Sequence, residues 1–141
     1  MGLISLVYVS FSHGDMSDDE LKEILKIARE NNKKLDITGM LLYRNGFFIQ
    51  ALEGEEAVVK DLYETIRQDP RHHAITTIVT YPIEERQFAD WNMGFHKMTD
   101  SELQGLEGYT DFLIHPTGEF FVTKPTRAKQ LLYAFRGQIY F

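Results

Sequence analysis

The stretch Ile37–Gly54, ITGMLLYRNGFFIQALEG, decides the fold. Asn45-Gly46 at its centre is the strongest two-residue hairpin signal, because both central positions of such a turn need positive φ. The flanks then read as two antiparallel strands. A two-residue turn sets Gln50 opposite Leu41 and Phe48 opposite Tyr43. Both faces of this hairpin are apolar, one through Phe48, Leu52 and Leu41, the other through Phe47, Ile49 and Leu42. Gln50 breaks the pattern in mid-strand. A primary amide carries two donors and an acceptor with two lone pairs. Leaving a buried polar group unpaired costs on the order of 1–3 kcal/mol. Gln50 therefore meets a polar partner inside the protein, or a ligand.

Before the hairpin, Leu3 to Phe11 reads as a strand with Ile4, Leu6, Tyr8 and Ser10 at its even positions. Ser17 followed by Glu20 forms a capping box, in which each side chain satisfies an orphan amide at a helix start. Leu21, Ile24, Leu25 and Ala28 follow at helical spacing, and the stripe runs on into Asn31 and Asn32. After the hairpin, a second helix is expected from about Glu55 to Gln68, with Val58, Val59, Leu62, Tyr63 and Ile66 on one side. Its acidic start suits the positive end of the helix dipole, and Pro70 stops it. ITTIVTY reads as a β-branched strand, IEERQF as a polar turn or a short helical piece, and WNMGF as a last short strand with Trp91, Met93 and Phe95 on one face.

The order β-α-β-β-α-β-β is a ferredoxin-like α+β layout with two helices on one face of the sheet. Two helices leave the other face uncovered. The tail from Met98 to Phe141 is the candidate cover, with Ala128, Leu131, Leu132 and Phe135 at helical spacing. It is expected to dock on the sheet, to join a dimer, or both.

Composition narrows the function. A chain of 141 residues suits one domain with a hydrophobic core. A net charge of -6 argues against nucleic acid as the main partner. With no cysteine, disulfides, thiolate metal sites and cysteine nucleophiles are excluded. The opening MGLISLVYVSFSHGD has neither a basic n-region nor an apolar run long enough for a signal peptide or a membrane span, so a cytoplasmic protein is expected. The chain contains no G-x-S-x-G, Walker A, H-E-x-x-H or G-x-G-x-x-G motif. The adjacent His72 and His73 do not face one metal ion well, and no metal site is expected. What remains is a set of neutral hydrogen-bonding groups on or at the ends of apolar faces: the Tyr8 phenol and the Gln50, Asn31 and Asn32 amides. Such a set suits a flat heteroaromatic ligand better than hydrolysis. Taken singly, Tyr8 also fits a core tyrosine, Asn31 and Asn32 fit a helix end, and Trp91 and Met93 fit core packing.

In combination, the strand with Tyr8, the ENN helix end, ITGMLLY, GFFIQALEG, DPRHH and FADWNM resemble the BLUF domain, a sensor of blue light using flavin. The resemblance covers about Leu3 to Phe95. It implies FAD as chromophore, with FMN as the alternative, lying between the two helices. Ile24 and Ile66 match the residues that sandwich the ring, and Asn32 matches the amide on its polar edge. Asn31 and Arg71 match positions near the flavin's polar groups and side chain, as Asp69 and His72 do more weakly. Tyr8 and Gln50 match the photoactive pair, and Trp91 and Met93 the mobile pair of the last strand. The implied activity is photochemical rather than enzymatic. Electron and proton leave Tyr8 and return, Gln50 is rearranged by rotation, tautomerisation or both, and absorption moves to the red. The resemblance divides the chain into a photosensor, residues 1–97, and a helical extension, residues 98–141. A short form of the family implies a separate downstream signalling protein and a homo-oligomer, a dimer or larger, with no nucleic-acid or membrane partner. Two alternatives stand beside it. One is a BLUF-like interaction module without light sensing, disfavoured by the joint presence of Tyr8, Asn32 and Gln50. The other is a small ferredoxin-like enzyme, disfavoured because the loop SFSHGDMS has no Arg or Lys to cradle an anion.

Overall fold

The computed structural model describes residues 2–106 and 118–135. It forms a five-stranded sheet in the order β4-β1-β3-β2-β5. The strands are β1 (Leu3–Ser12), β2 (Thr38–Arg44), β3 (Phe47–Glu55), β4 (His72–Ile83) and β5 (Gly94–Lys97). All neighbours are antiparallel except β2 and β5. Helices α1 (Asp18–Leu35) and α2 (Glu56–Arg67) lie between strands, and α3 (Asp100–Gln104), α4 (Gly118–Thr123) and α5 (Pro125–Ala134) follow the sheet. The fold is α+β and ferredoxin-like, with added C-terminal helices.

The hairpin forms in the expected register. Asn45 and Gly46 take φ 45° and 85°, and Gln50 faces Leu41 while Phe48 faces Tyr43. The same strand pairs with β1 on its other edge, which sets Tyr8 directly across from Gln50. Gly39 permits the close approach of β2 to β3: a Cβ there would sit 2.0 Å from the Ala51 carbonyl oxygen.

The capping box of Ser17 and Glu20 opens α1. The helix runs past Asn31 and Asn32 to Leu35, where Asp36 takes the left-handed cap at φ 55°. Lys33 and Lys34 in the last turn suit the negative end of the dipole, so the two asparagines are helical rather than terminal.

Alternation of side chains across the strands separates two cores. Ile4, Leu6, Tyr8, Leu41 and Leu52 meet Leu21 and Leu25 of α1 and Val59 and Tyr63 of α2. Val7, Val9, Leu42, Ile49 and Ala51 face the other way and meet Phe121, Ala128, Leu131, Leu132 and Phe135. The tail therefore docks on the sheet face that two helices leave bare. Residues 136–141, the RGQIYF end of the expected tail helix, lie outside the described residues, as do residues 107–117.

The last strand is shorter than expected. It begins at Gly94, so Trp91 and Met93 precede it and its alternation does not govern them. Met93 and Phe95 join the core under α1 and α2, whereas Trp91 packs against the tail-side core. The expectation of all three on one face is thus corrected.

Two substitutions test this packing. Leu131 is fully buried, and Leu131→Ala is expected to cost about 2–5 kcal/mol in urea unfolding. Gly39→Ala should lower the melting temperature further than alanine placed at the exposed Gly2, because its Cβ overlaps backbone that cannot yield.

Candidate functional site

A cavity of about 260 Å³ opens between α1 and α2 above the sheet. Ile24, Ile27, Ala28 and Asn31 line it from α1, at spacings that place them on one helical face. Leu62, Thr65 and Ile66 of α2 and Asp69 just beyond it line the facing wall at the same kind of spacing. Tyr8, Leu41, Phe48 and Gln50 form the floor.

Gln50 finds its polar partners here. The Tyr8 hydroxyl donates to Gln50 Oε1, and Gln50 Nε2 donates to Met93 Sδ at 3.2 Å. Tyr8 and Gln50 are 4% and 6% exposed. A thioether sulfur is a weak acceptor, so the amide is held firmly at its oxygen and loosely at its nitrogen. Burial, followed by the nearby Tyr63 and Asp69, pushes the Tyr8 hydroxyl well above the ordinary phenol range. The Tyr63 ring lies 5.2 Å from that of Tyr8, and its hydroxyl accepts from Thr77 Oγ1 at 2.7 Å.

The polar end of the cavity is built from amides. Asn32 is buried, and its Nδ2 donates to the Asn92 carbonyl at 2.8 Å. Its Oδ1 is therefore what it offers the cavity. Asn31 lines the wall from an exposed position. Asp69 and Arg71 form an ion pair at the mouth, with Arg71 Nε 3.0 Å from both carboxylate oxygens. The Arg71 bond holds the Asp69 carboxyl below the usual carboxylate range, against partial burial. His72 also lines the cavity. Its Nε2 donates to the Ile66 carbonyl at 2.6 Å, and its Nδ1 lies 3.0 Å from Ser10 Oγ. Both ring nitrogens are thus engaged within the protein.

The structure brings together Tyr8, Ile24, Asn31, Asn32, Gln50, Ile66, Asp69, Arg71 and His72 around one cavity. Met93 reaches it through Gln50, while Trp91 lies apart, against the tail-side core. Ala28 and Leu62 were read from sequence only as parts of apolar helix faces, and Ile27 and Thr65 were not read at all; the spacing of Ile27 from Ile24 and Asn31, and of Thr65 from Leu62 and Asp69, is the signal that finds them. Arg29, whose Nε donates to the Met93 carbonyl at 2.8 Å, carries no such signal. Among the described residues, no group of His, Asp and Glu could hold a metal ion, and no helix is long and apolar enough to cross a membrane.

Residues 3–94 match the family model described as BLUF, sensors of blue light using FAD. The chain belongs to the BLUF family. It is 44% identical over 92 residues to photoactivated adenylate cyclase subunit beta of Euglena longa, across 64% of this chain and 11% of that protein. It is 36% identical over 91 residues to the blue light- and temperature-regulated antirepressor BluF of Escherichia coli, across 64% of this chain and 23% of that protein. The chain thus spans only about a tenth of the length of the cyclase subunit and under a quarter of BluF. The solved structure of BlsA in its photo-activated state aligns over 95% of this chain and 94% of its own, with 27% identity and a TM-score of 0.73. The BLUF sheet, its two helices and the helices after it thus recur together in BlsA.

The raised phenol of Tyr8 has a consequence for stability. An unfolded tyrosine releases its proton near pH 10, whereas folded Tyr8 keeps it. The contribution is complete below that pH and is lost as pH climbs from there toward the folded value. Wild-type protein should therefore lose stability more steeply above pH 10 than Tyr8→Phe, as measured by urea unfolding at stepped alkaline pH.

Proposed function

We propose that this BLUF protein is a blue-light photoreceptor that binds FAD, or alternatively FMN, without a covalent bond and switches by rearranging the Gln50 amide. The observation that carries the reading is the buried Tyr8–Gln50 hydrogen bond on the floor of the cavity, with the far end of the amide resting on a weak acceptor.

The residues present fit a flavin. An apolar slot with one amide-lined edge matches a flat ring that is apolar in its body and polar at one end. Ile24 and Ile66 would hold the ring faces. Asn32 would hold the polar edge through Oδ1, with Asn31 beside it. The Asp69–Arg71 pair and His72 stand where the rest of the cofactor would leave the cavity. Excited by blue light, a bound flavin supplies an oxidant able to take an electron from a phenol.

The chain's own groups move the proton and reset the hydrogen bonds. Tyr8 is too deeply buried to bear a charge, so loss of an electron draws its proton along the bond to Gln50 Oε1. When electron and proton return, the amide can settle in a second arrangement, because its nitrogen gives up only a sulfur contact. Met93 then loses its partner, and the change reaches the segment carrying Trp91. Light creates a second state, and a partner that responds must bind the two states differently.

On this reading, residues 1–97 are the photosensor and residues 98–141 the extension on its back face. The chain acts in the cytoplasm as a homo-oligomer and carries no catalysis of its own. Its signal passes to a separate protein. The antirepressor name of the Escherichia coli relative supports such a relay.

Colour is the test. Purified protein supplied with FAD should be yellow, and blue light should move its flavin band to the red. Tyr8→Phe should bind flavin and lose that shift, as should Gln50→Leu. Asn32→Ala should lower flavin occupancy, read as the absorbance ratio after gel filtration. A protein that stays colourless with FAD, or a Tyr8→Phe variant with a normal shift, would refute the reading.

A further inference from the structure

The connection from β4 to β5, residues 84–93, carries Trp91 and Met93 yet contains no helix or strand. A segment of this kind keeps its shape only where its backbone polar groups find partners elsewhere. Glu53 supplies the first of them. It sits on β3, 1% exposed, on the face opposite Gln50. Its Oε2 accepts from the Gln87 amide at 2.7 Å. Its Oε1 accepts from the Phe88 amide at 2.9 Å and from Thr38 Oγ1 at 3.1 Å. Arg86 of the same segment closes the arrangement. It donates to the Glu53 carbonyl at 3.1 Å, to Thr38 Oγ1 at 2.9 Å and to the Asp36 carbonyl at 2.8 Å.

The held end leads on to Met93, whose sulfur accepts from the Gln50 amide. The Trp91 amide donates to the Phe88 carbonyl at 3.1 Å, and the Trp91 carbonyl accepts from Gly39 at 3.2 Å. Asn32 and Arg29 then fix the carbonyls of Asn92 and Met93. Burying a carboxylate is expensive without several donors. A turn that only had to connect two strands could leave its amides to water. This carboxylate meets two consecutive amides of one segment, which fixes the direction in which that segment leaves the sheet.

We infer that Glu53 is a positioning residue that sets the path of residues 86–93, seating Met93 on the Gln50 amide and Trp91 on the opposite face. Its consequence for the photocycle rests on the photoreceptor reading above; its consequence for the segment does not.

Glu53→Gln is the direct probe. It keeps the volume and replaces one acceptor oxygen with an NH2 that meets an amide donor. Trp91 is the only tryptophan in the chain, so its emission in flavin-free protein reports this segment alone. Acrylamide quenching of Trp91 should rise roughly two-fold or more in Glu53→Gln, while the far-UV circular dichroism of the sheet is retained. Arg86→Leu leaves the carboxylate in place and should produce a smaller rise. In flavin-loaded protein, Glu53→Gln should change the rate of dark recovery, and the change should vanish in a Met93→Ala background. Unchanged quenching in whichever of the two variants folds would overturn the inference. So would an equal effect on recovery with and without Met93, which marks general destabilisation. A wild-type protein with no red shift would instead strike the photoreceptor reading and leave the quenching result to decide the role of Glu53.

Discussion

The site depends on a buried primary amide in the middle of an otherwise apolar strand. Gln50 cannot stay there without partners, and the fold supplies them from two directions. The β1–β3 register brings Tyr8 across from it. The approach to β5 brings the sulfur of Met93 to its other end. One partner is a phenol that burial holds well above its ordinary pKa. The other is a thioether, a weak acceptor. A single side chain thus joins a buried phenol on β1 to the segment that leads into β5.

The architecture follows from covering both faces of the sheet around that point. Two helices between strands cover one face incompletely, and the gap between them is the cavity. The tail helices cover the other face with Phe121, Leu131 and Leu132. The segment before β5 touches both layers. Met93 belongs to the cavity side and Trp91 to the tail side, with only Asn92 between them in the chain. Phe88 extends the contact, its ring 6.4 Å from Trp91 and 6.0 Å from Tyr133 of α5. Contacts thus run from Gln50 to Met93, and from Trp91 through Phe88 to Tyr133 of the tail.

Much of this was legible in the sequence because it is local. The Asn45-Gly46 turn determines the hairpin register, and the Ser17–Glu20 box marks the start of α1. Helical spacing placed Ile24 and Ile66 on apolar faces, and the lone polar residue at Gln50 called for a buried partner, from the protein or from a ligand. The illegible parts are tertiary. Tyr8 and Gln50 are 42 positions apart, so their contact depends on strand order rather than on either segment. Trp91 and Met93 part because the strand starts at Gly94, later than alternation in WNMGF suggests. Asn32 lies inside α1 because the left-handed cap falls on Asp36. Glu53 and Arg86 look like ordinary surface charges until β3 and the loop after β4 are folded together.

On the photoreceptor reading, light leaves the Gln50 amide itself in a second state. Light-minus-dark infrared difference spectroscopy on flavin-loaded protein with isotopically labelled glutamine tests it directly. A difference band from a glutamine side-chain amide should appear, shift with the label and disappear in Gln50→Leu. A difference spectrum that is insensitive to the label, in protein whose flavin band still moves to the red, would contradict it.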